Sequence, residues 1–255
     1  MVGVRMVRPM PDHPYAYVIG LLAAVCIGMS KAGFSGVSLV AVFLLADLYG
    51  AKESVGLALP LLIAADLIVY PAFRAHGSWR PVWRLLLPTL VGIGLGWLLL
   101  GAMTDAQARR VIGVLILALV GVQVAVRSGW KALDHWCQTS GFAVGSGVLG
   151  GFATMTANAA GPVIQLYLLA RRVPKMDLIG TSARFFLLVN LLKIPINAKL
   201  ALITSGSLLE NLRLMPGVIV GIFGGKWLVR HVPQRAFGWL IVGFAVVAGV
   251  RLAWF

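Results

Sequence analysis

Apolar stretches follow one another along almost the whole chain, at about 15–29, 36–49, 54–73, 81–103, 111–126, 138–155, 161–170, 176–203, 212–229 and 236–254. This succession limits the fold more than any other feature. In hydrocarbon every backbone N–H and C=O needs a partner within the protein, and a helix supplies those partners along its own length. Of the 255 residues, 60% are apolar and only 12% charged, whereas a soluble domain runs at roughly half and a quarter. With a mean hydropathy of +0.92, disorder, a collagen-like fibre and a disulfide scaffold are excluded, and an ordinary soluble enzyme is disfavoured. At ~20 apolar residues per crossing, residues 1–255 fit a single membrane domain. The expected fold is all-α, a polytopic transmembrane bundle of about eight to ten membrane segments.

The charge balance, 22 Lys and Arg against 8 Asp and Glu, would suggest nucleic acid in a soluble chain. Here the cations lie between apolar stretches, as at Arg74, Arg80 and Arg84, or Arg171, Arg172 and Lys175. Basic loops beside membrane spans explain them. No basic face carries interleaved aromatics, so nucleic acid is not expected as a partner. Arg5 and Arg8 precede the first apolar run, but no small-x-small cleavage site follows, so an uncleaved first segment is expected. Cys26 and Cys137 lack CxxC spacing and read as packing residues. His13, His76, His135 and His231 fall in or near loops without metal spacing. No HExxH, GxSxG or Walker loop occurs and no GxGxxG follows a strand, so neither an enzyme nor a cofactor or metal site is expected.

Sliding the chain on itself by about 124 residues aligns Gly36 with Gly161, Gly56 with Gly180, Asp66 with Asn190 and Pro71 with Pro195. Further on, Gly92 meets Gly217, Gly96 meets Gly221, Arg110 meets Arg235, Gly113 meets Gly238 and Arg127 meets Arg251. This order predicts two homologous repeats, 16–127 and 139–254. If residues 15–49 enter and leave on one side, each repeat has an odd number of membrane elements and the second copy is inverted. If they make one broken crossing, the copies lie parallel. Loop Lys and Arg do not separate the two schemes. Inversion is expected, because 35 residues are too many for one crossing and inverted repeats are common in transporters. Glycine totals 30, and its four-residue spacings (Gly92/Gly96, Gly147/Gly151, Gly217/Gly221/Gly225) read as close helix contacts. Trp79, Trp83, Trp130, Trp136, Trp239 and Trp254 read as interfacial anchors.

Each expected repeat opens on an interrupted helix. Gly28-Met29-Ser30-Lys31-Ala32-Gly33-Phe34-Ser35-Gly36 breaks the first apolar run. Unwound backbone and a following helix N-terminus attract anions. Lys31 adds a charge, and Ser30, Ser35 and Ser38 can donate. The competing reading is an ordinary loop with Lys31 in solvent. The second interruption is Thr154-Met155-Thr156-Ala157-Asn158-Ala159-Ala160-Gly161-Pro162, with Pro162 suited to a first helical turn. The competing reading there is helix-to-helix hydrogen bonding by Thr and Asn. The candidate substrate-binding set is therefore Ser30, Lys31, Gly33, Ser35, Gly36, Thr156, Asn158, Gly161 and Arg184. Arg184 lies within an apolar span and could bind an oxyanion through its fork or pair statically with Asp66. Asp66, opposite Asn190 in the repeat, is a candidate coupling or ion-pair residue. A charge in hydrocarbon costs ~2.5–3.5 kcal/mol on insertion scales, so such groups mark a pathway or a pairing. Lys193 and Lys199 are expected to snorkel to an interface.

The two interruptions resemble those of the sulfite exporter TauE/SafE family, also described as 4-toluene sulfonate uptake permeases. The likeness rests on Gly28 to Gly36 and on Gly150-Gly151-Phe152 through Gly161-Pro162, followed by Val163-Ile164-Gln165-Leu166-Tyr167-Leu168-Leu169. It covers nearly the whole chain as two halves. Ala157-Asn158-Ala159-Ala160 is poorer in glycine than the family's second motif. The resemblance implies a multi-pass protein of the plasma (inner) membrane that moves sulfite, organosulfonates or related anions. The partners expected are the lipid bilayer, a small anionic substrate and a proton or sodium as coupling ion, with a homodimer among the assemblies open to it. Secondary transport is the leading reading. A passive anion channel is the alternative, and a non-transport membrane subunit a third.

Overall fold

The computed structural model describes residues 14–34, 36–127, 139–231 and 234–254. Among the described residues there are ten helices and no strand, as expected of an all-α chain. They are α1 Pro14–Lys31, α2 Val37–Tyr49, α3 Ala51–Phe73, α4 Trp79–Ala102 and α5 Asp105–Arg127, then α6 Ser140–Ala157, α7 Gly161–Ala170, α8 Lys175–Lys199, α9 Ser205–His231 and α10 Gln234–Trp254. Five helical stretches are long and apolar enough to cross a membrane: Ala51–Phe73, Trp79–Ala102, Asp105–Val124, Met176–Lys199 and Ser205–Leu228.

The two helices that begin furthest ahead of their apolar stretches, α5 and α9, have their starts set by side-chain caps. At α5, Thr104 Oγ1 accepts from the Gln107 amide at 3.3 Å while Gln107 Oε1 accepts from the Thr104 amide at 2.8 Å. That reciprocal pair satisfies amides a helix start leaves open. At α9, Thr204 and Ser207 exchange the same two bonds at 3.2 and 2.9 Å.

Glycines decide which helices meet. A Cβ on Gly221 would strike the Val25 carbonyl, and one on Gly225 would meet Met29 and Ala32, so α9 lies against α1. The sequence numbers rise together, so these two helices run parallel. In the same way Gly147 faces Leu85 and Pro88, Gly151 faces Thr89, and Gly96 faces Phe152 and Met155. Helices α4 and α6 are therefore also parallel. Without a hydrophobic drive in lipid, such close backbone approach supplies the packing attraction. Gly113 against Ala253 and Gly249 against Leu117 join α5 and α10 in antiparallel contact.

The centre is α3 crossing α8. Gly56 packs on Leu202 just past the end of α8, and Gly180 packs on Phe73 and His76 at the end of α3. The two helices are antiparallel and joined midway by Asn190 Nδ2 donating to Asp66 Oδ2 at 2.8 Å. This geometry determines the course of α1 and α2. Lys31, at the end of α1, stands beside Asp66, ~22 Å along α3 from Ala51 at 1.5 Å per residue. Yet α2 ends one residue before α3 begins. So α2 descends alongside α3, and α1 and α2 form a hairpin with its tip at residues 32–34 and Gly36. Helix α6 ends beside Val55, where Asn158 bonds, and α7 returns to the start of α8. This second hairpin points the opposite way, with its tip at residues 158–160.

The outer faces carry exposed apolar side chains such as Leu87, Leu98, Val220 and Phe223, and Trp79, Trp83, Trp239 and Trp254 are also exposed. Trp130 and Trp136 lie outside the described residues.

Candidate functional site

The hairpin tips differ in how they close. Asn158 ends α6 in the left-handed conformation, φ 52°, which asparagine tolerates better than most residues. This lets the Asn158 amide donate to Thr154 O and the Ala159 amide to Ala153 O, both at 3.1 Å, and so satisfies the last carbonyls of α6. In the first tip, Gly33 sits at φ 123°, a conformation that favours glycine. The Ala32 amide donates to Met29 O at 3.1 Å. Both returning helices start without a side-chain cap, α2 at Gly36 and α7 at Ala160. Their first amides lack partners within the helix.

Between the tips lies a cavity of about 410 Å³. Ser30, Lys31 and Gly33 line it from the first tip, and Thr154, Asn158 and Gly161 from the second. Asp66 and Val69 on α3, with Ser182, Phe186 and Asn190 on α8, supply the walls. Gln165, Leu169 and Val173 continue along α7 to its end, so the cavity opens toward the α7–α8 turn. Arg171 and the exposed Arg172 lie in that turn.

One ion pair dominates the cavity. Lys31 Nζ stands 2.8 Å from Asp66 Oδ1, with side chains 10% and 1% exposed. The ammonium also lies 4.5 Å from the centre of the Phe186 ring. Asn190 holds the other carboxylate oxygen, while its own Oδ1 is buried without a hydrogen-bond partner. The Lys31 cation therefore reaches the cavity on a carboxylate tether.

The expected site residues divide. Ser30, Lys31, Gly33, Asn158, Gly161, Asp66 and Asn190 converge on the cavity. The Ser30 hydroxyl donates to Ile27 O at 2.7 Å. Thr156 instead bonds Phe152 O at 2.8 Å within α6, and Thr154 takes the place at the cavity wall. Gly36 backs onto the Gln123 side chain, and Ser35 lies outside the described residues.

Arg184 is elsewhere. Its fork donates to the carbonyls of Arg74 (2.7 Å), Gly180 (3.0 Å) and His76, and its guanidinium lies between the Tyr70 and Trp79 rings. It clamps the α3–α4 turn onto α8. The static pairing considered for it with Asp66 is corrected: Lys31 occupies that place.

Lys193 corrects a second expectation. It does not snorkel: its side chain is fully buried. Nζ donates to Thr154 O (2.6 Å), Thr154 Oγ1 (3.2 Å) and Asn158 Oδ1 (2.6 Å). Asn158 Nδ2 donates onward to Val55 O at 2.9 Å, so the second tip is fastened to both central helices. The signal was present in the sequence. Asn190, Lys193 and Asn197 recur at helical spacing, and all three are buried while Leu191, Leu192 and Ile194 are exposed.

No curated protein and no solved structure matches the chain. A comparison with known families matches residues 18–252 to the sulfite exporter TauE/SafE family. The match spans both hairpins and all the central helices, so the chain belongs to the sulfite exporter TauE/SafE family and is a multi-pass integral membrane transporter.

Proposed function

We propose that the protein is a secondary carrier of a small oxyanion, sulfite or an organosulfonate, in the plasma membrane. The observation that carries this reading is the cavity between the two tips. Its volume of about 410 Å³ falls in the range of small-molecule sites, ~300–1,000 Å³. It offers an ammonium and the amides of an uncapped helix start at Gly161, and Asn158 and Gln165 add polar walls. Oxyanions favour such partners over apolar or cationic solutes. The family's name, sulfite exporter, agrees with that chemistry.

The ion pair suggests the coupling. An anion drawn to Lys31 competes with the Asp66 carboxylate for the same ammonium. Asp66 then needs another cation, and a proton or sodium ion meets that need while keeping the loaded site neutral. Arg172 at the mouth raises the local anion concentration. The fastening of the second tip by Asn158 and Lys193 favours a carrier over an open channel.

The repeats belong to the same reading. Residues 16–127 and 139–254 form inverted copies, each opening on a re-entrant hairpin, within one membrane domain. The antiparallel crossing of α3 with α8 and of α5 with α10 supports inversion, because each pair holds equivalent positions in the two copies. Purified protein in liposomes tests the function with ³⁵S-sulfite under imposed proton or sodium gradients. Gradient-driven accumulation supports the carrier. Conductance without coupling indicates a channel, and no movement of sulfite or sulfonates refutes the proposal.

A further inference from the structure

A second, nearly collapsed cavity of about 20 Å³ lies on the other side of the tips. Ala41 and Leu45 on α2, Ala58 and Leu62 on α3, and Ala157 and Asn158 at the second tip are among its walls. The 124-residue separation of Asp66 and Asn190 carries these walls onto the large cavity. On the central helices Ala58 falls on Ser182 and Leu62 on Phe186, and both of those line the large cavity. The two cavities adjoin, sharing Ser38, Leu62 and Asn158, and under the inverted-repeat reading above they are equivalent halves of one site, one open and one closed.

The same register carries Val69, a wall of the large cavity, onto Lys193. Lys193 is not itself a wall of the collapsed cavity, but its ammonium stands directly behind Asn158, which is one, at the position where the open cavity has the Val69 isopropyl group. Among the described residues no carboxylate pairs with Lys193, and every acceptor it holds belongs to the second hairpin, at Thr154 in the last turn of α6 and at Asn158. A buried ammonium on neutral acceptors alone is poorly compensated. For the collapsed cavity to open, the second tip must leave Val55 and the central helices. That movement removes the acceptors from Lys193 as the cavity fills with solvent and substrate. An anion is the partner that suits the released charge.

We propose that Lys193 is a second anion-contacting residue, which binds the substrate when the collapsed cavity opens to the face bearing the α2–α3 turn. The inference rests on the carrier reading above and adds a residue and a side to it. Lys31 serves the anion from one face, and Lys193 serves it from the other.

Lys193→Gln is the primary test, because its amide keeps donors for Thr154 and Asn158 while removing the charge. In proteoliposomes of known orientation, the KM for ³⁵S-sulfite arriving from the α2–α3 face is expected to rise about tenfold or more, the scale of one charged hydrogen bond. The KM from the α3–α4 face is expected to stay within about twofold, which a general packing defect would not produce. A second measurement leaves Lys193 intact. In a Cys26→Ala, Cys137→Ala background, Ala58→Cys is expected to react with an impermeant maleimide from the α2–α3 face, and Ser182→Cys from the α3–α4 face. Equal KM changes from both faces, or Ala58→Cys unreactive from either face in protein that transports, overturn the proposal. If Lys31→Met abolishes sulfite binding and Lys193→Gln changes nothing, the carrier reading stands and this inference alone fails. If the wild type moves no sulfite, both fall.

Discussion

Lys31→Met probes the cavity most directly. The ammonium lies 2.8 Å from an Asp66 oxygen, and the two side chains are 10% and 1% exposed. An ion pair on the surface contributes under ~1 kcal/mol, but removing one partner of a buried pair costs ~3–5 kcal/mol. Asp66 keeps its bond from Asn190, which places the expected loss near the lower end, ~3 kcal/mol. At ~2–4 °C per kcal/mol for a chain of this order, thermal unfolding falls by ~6–12 °C. The double variant Lys31→Met, Asp66→Asn removes both charges and keeps the shape at position 66. It is expected to return within ~1 kcal/mol of the wild type, since a neutral replacement relieves the stranded carboxylate. Sulfite uptake falls at least about tenfold in both variants, because neither has the cation. The assay is thermal unfolding in one detergent with uptake measured on the same preparations. The reasoning is refuted if the single variant loses under ~1 kcal/mol, or if the double variant is no more stable than the single. Uptake at the wild-type rate in either variant removes Lys31 from the site.

Arg184→Met strands the Arg74, His76 and Gly180 carbonyls, and unfolding measurements should show a loss of ~2–4 kcal/mol. The sulfite KM of the surviving protein should be unchanged. Gly221→Leu drives a side chain into the Val25 backbone and should abolish the folded peak in size-exclusion chromatography, whereas Gly94→Ala, with no neighbour within 4 Å, should stay within ~0.5 kcal/mol. Arg172→Glu, exposed in the α7–α8 turn beside the cavity residue Val173, should lower kcat/KM for sulfite a few-fold in dilute buffer, with the gap shrinking as salt screens the charge.

The all-α class and the order of the described helices were legible before any packing was known. Hydrocarbon demands that backbone groups be satisfied locally, so apolar stretches and their interruptions report helices and breaks directly. The stretch 161–170 coincides with α7. Starts were less legible where caps at Thr104 and Thr204 extend a helix into polar sequence. Glycine spacing marked helices that approach a neighbour closely but did not name the neighbour. That choice depends on backbone surfaces from distant parts of the chain, as when Gly221 meets Val25.

The sequence alone determined a helical membrane chain with two polar interruptions and a few ionisable groups within its spans. Each of these follows from residues judged against lipid as solvent. Only the tertiary structure decided how those groups pair. Arg184 was the partner considered for Asp66, but the packing of the α1 end against α3 brought Lys31 to it, and the crossing of α3 with α8 turned Arg184 toward three backbone carbonyls. Lys193 is buried for the same reason: its face of α8 is closed by the tip of a hairpin that begins more than a helix away in sequence. A charge's cost depends on what surrounds it in space, and that is a property of the packed bundle rather than of any one stretch of chain.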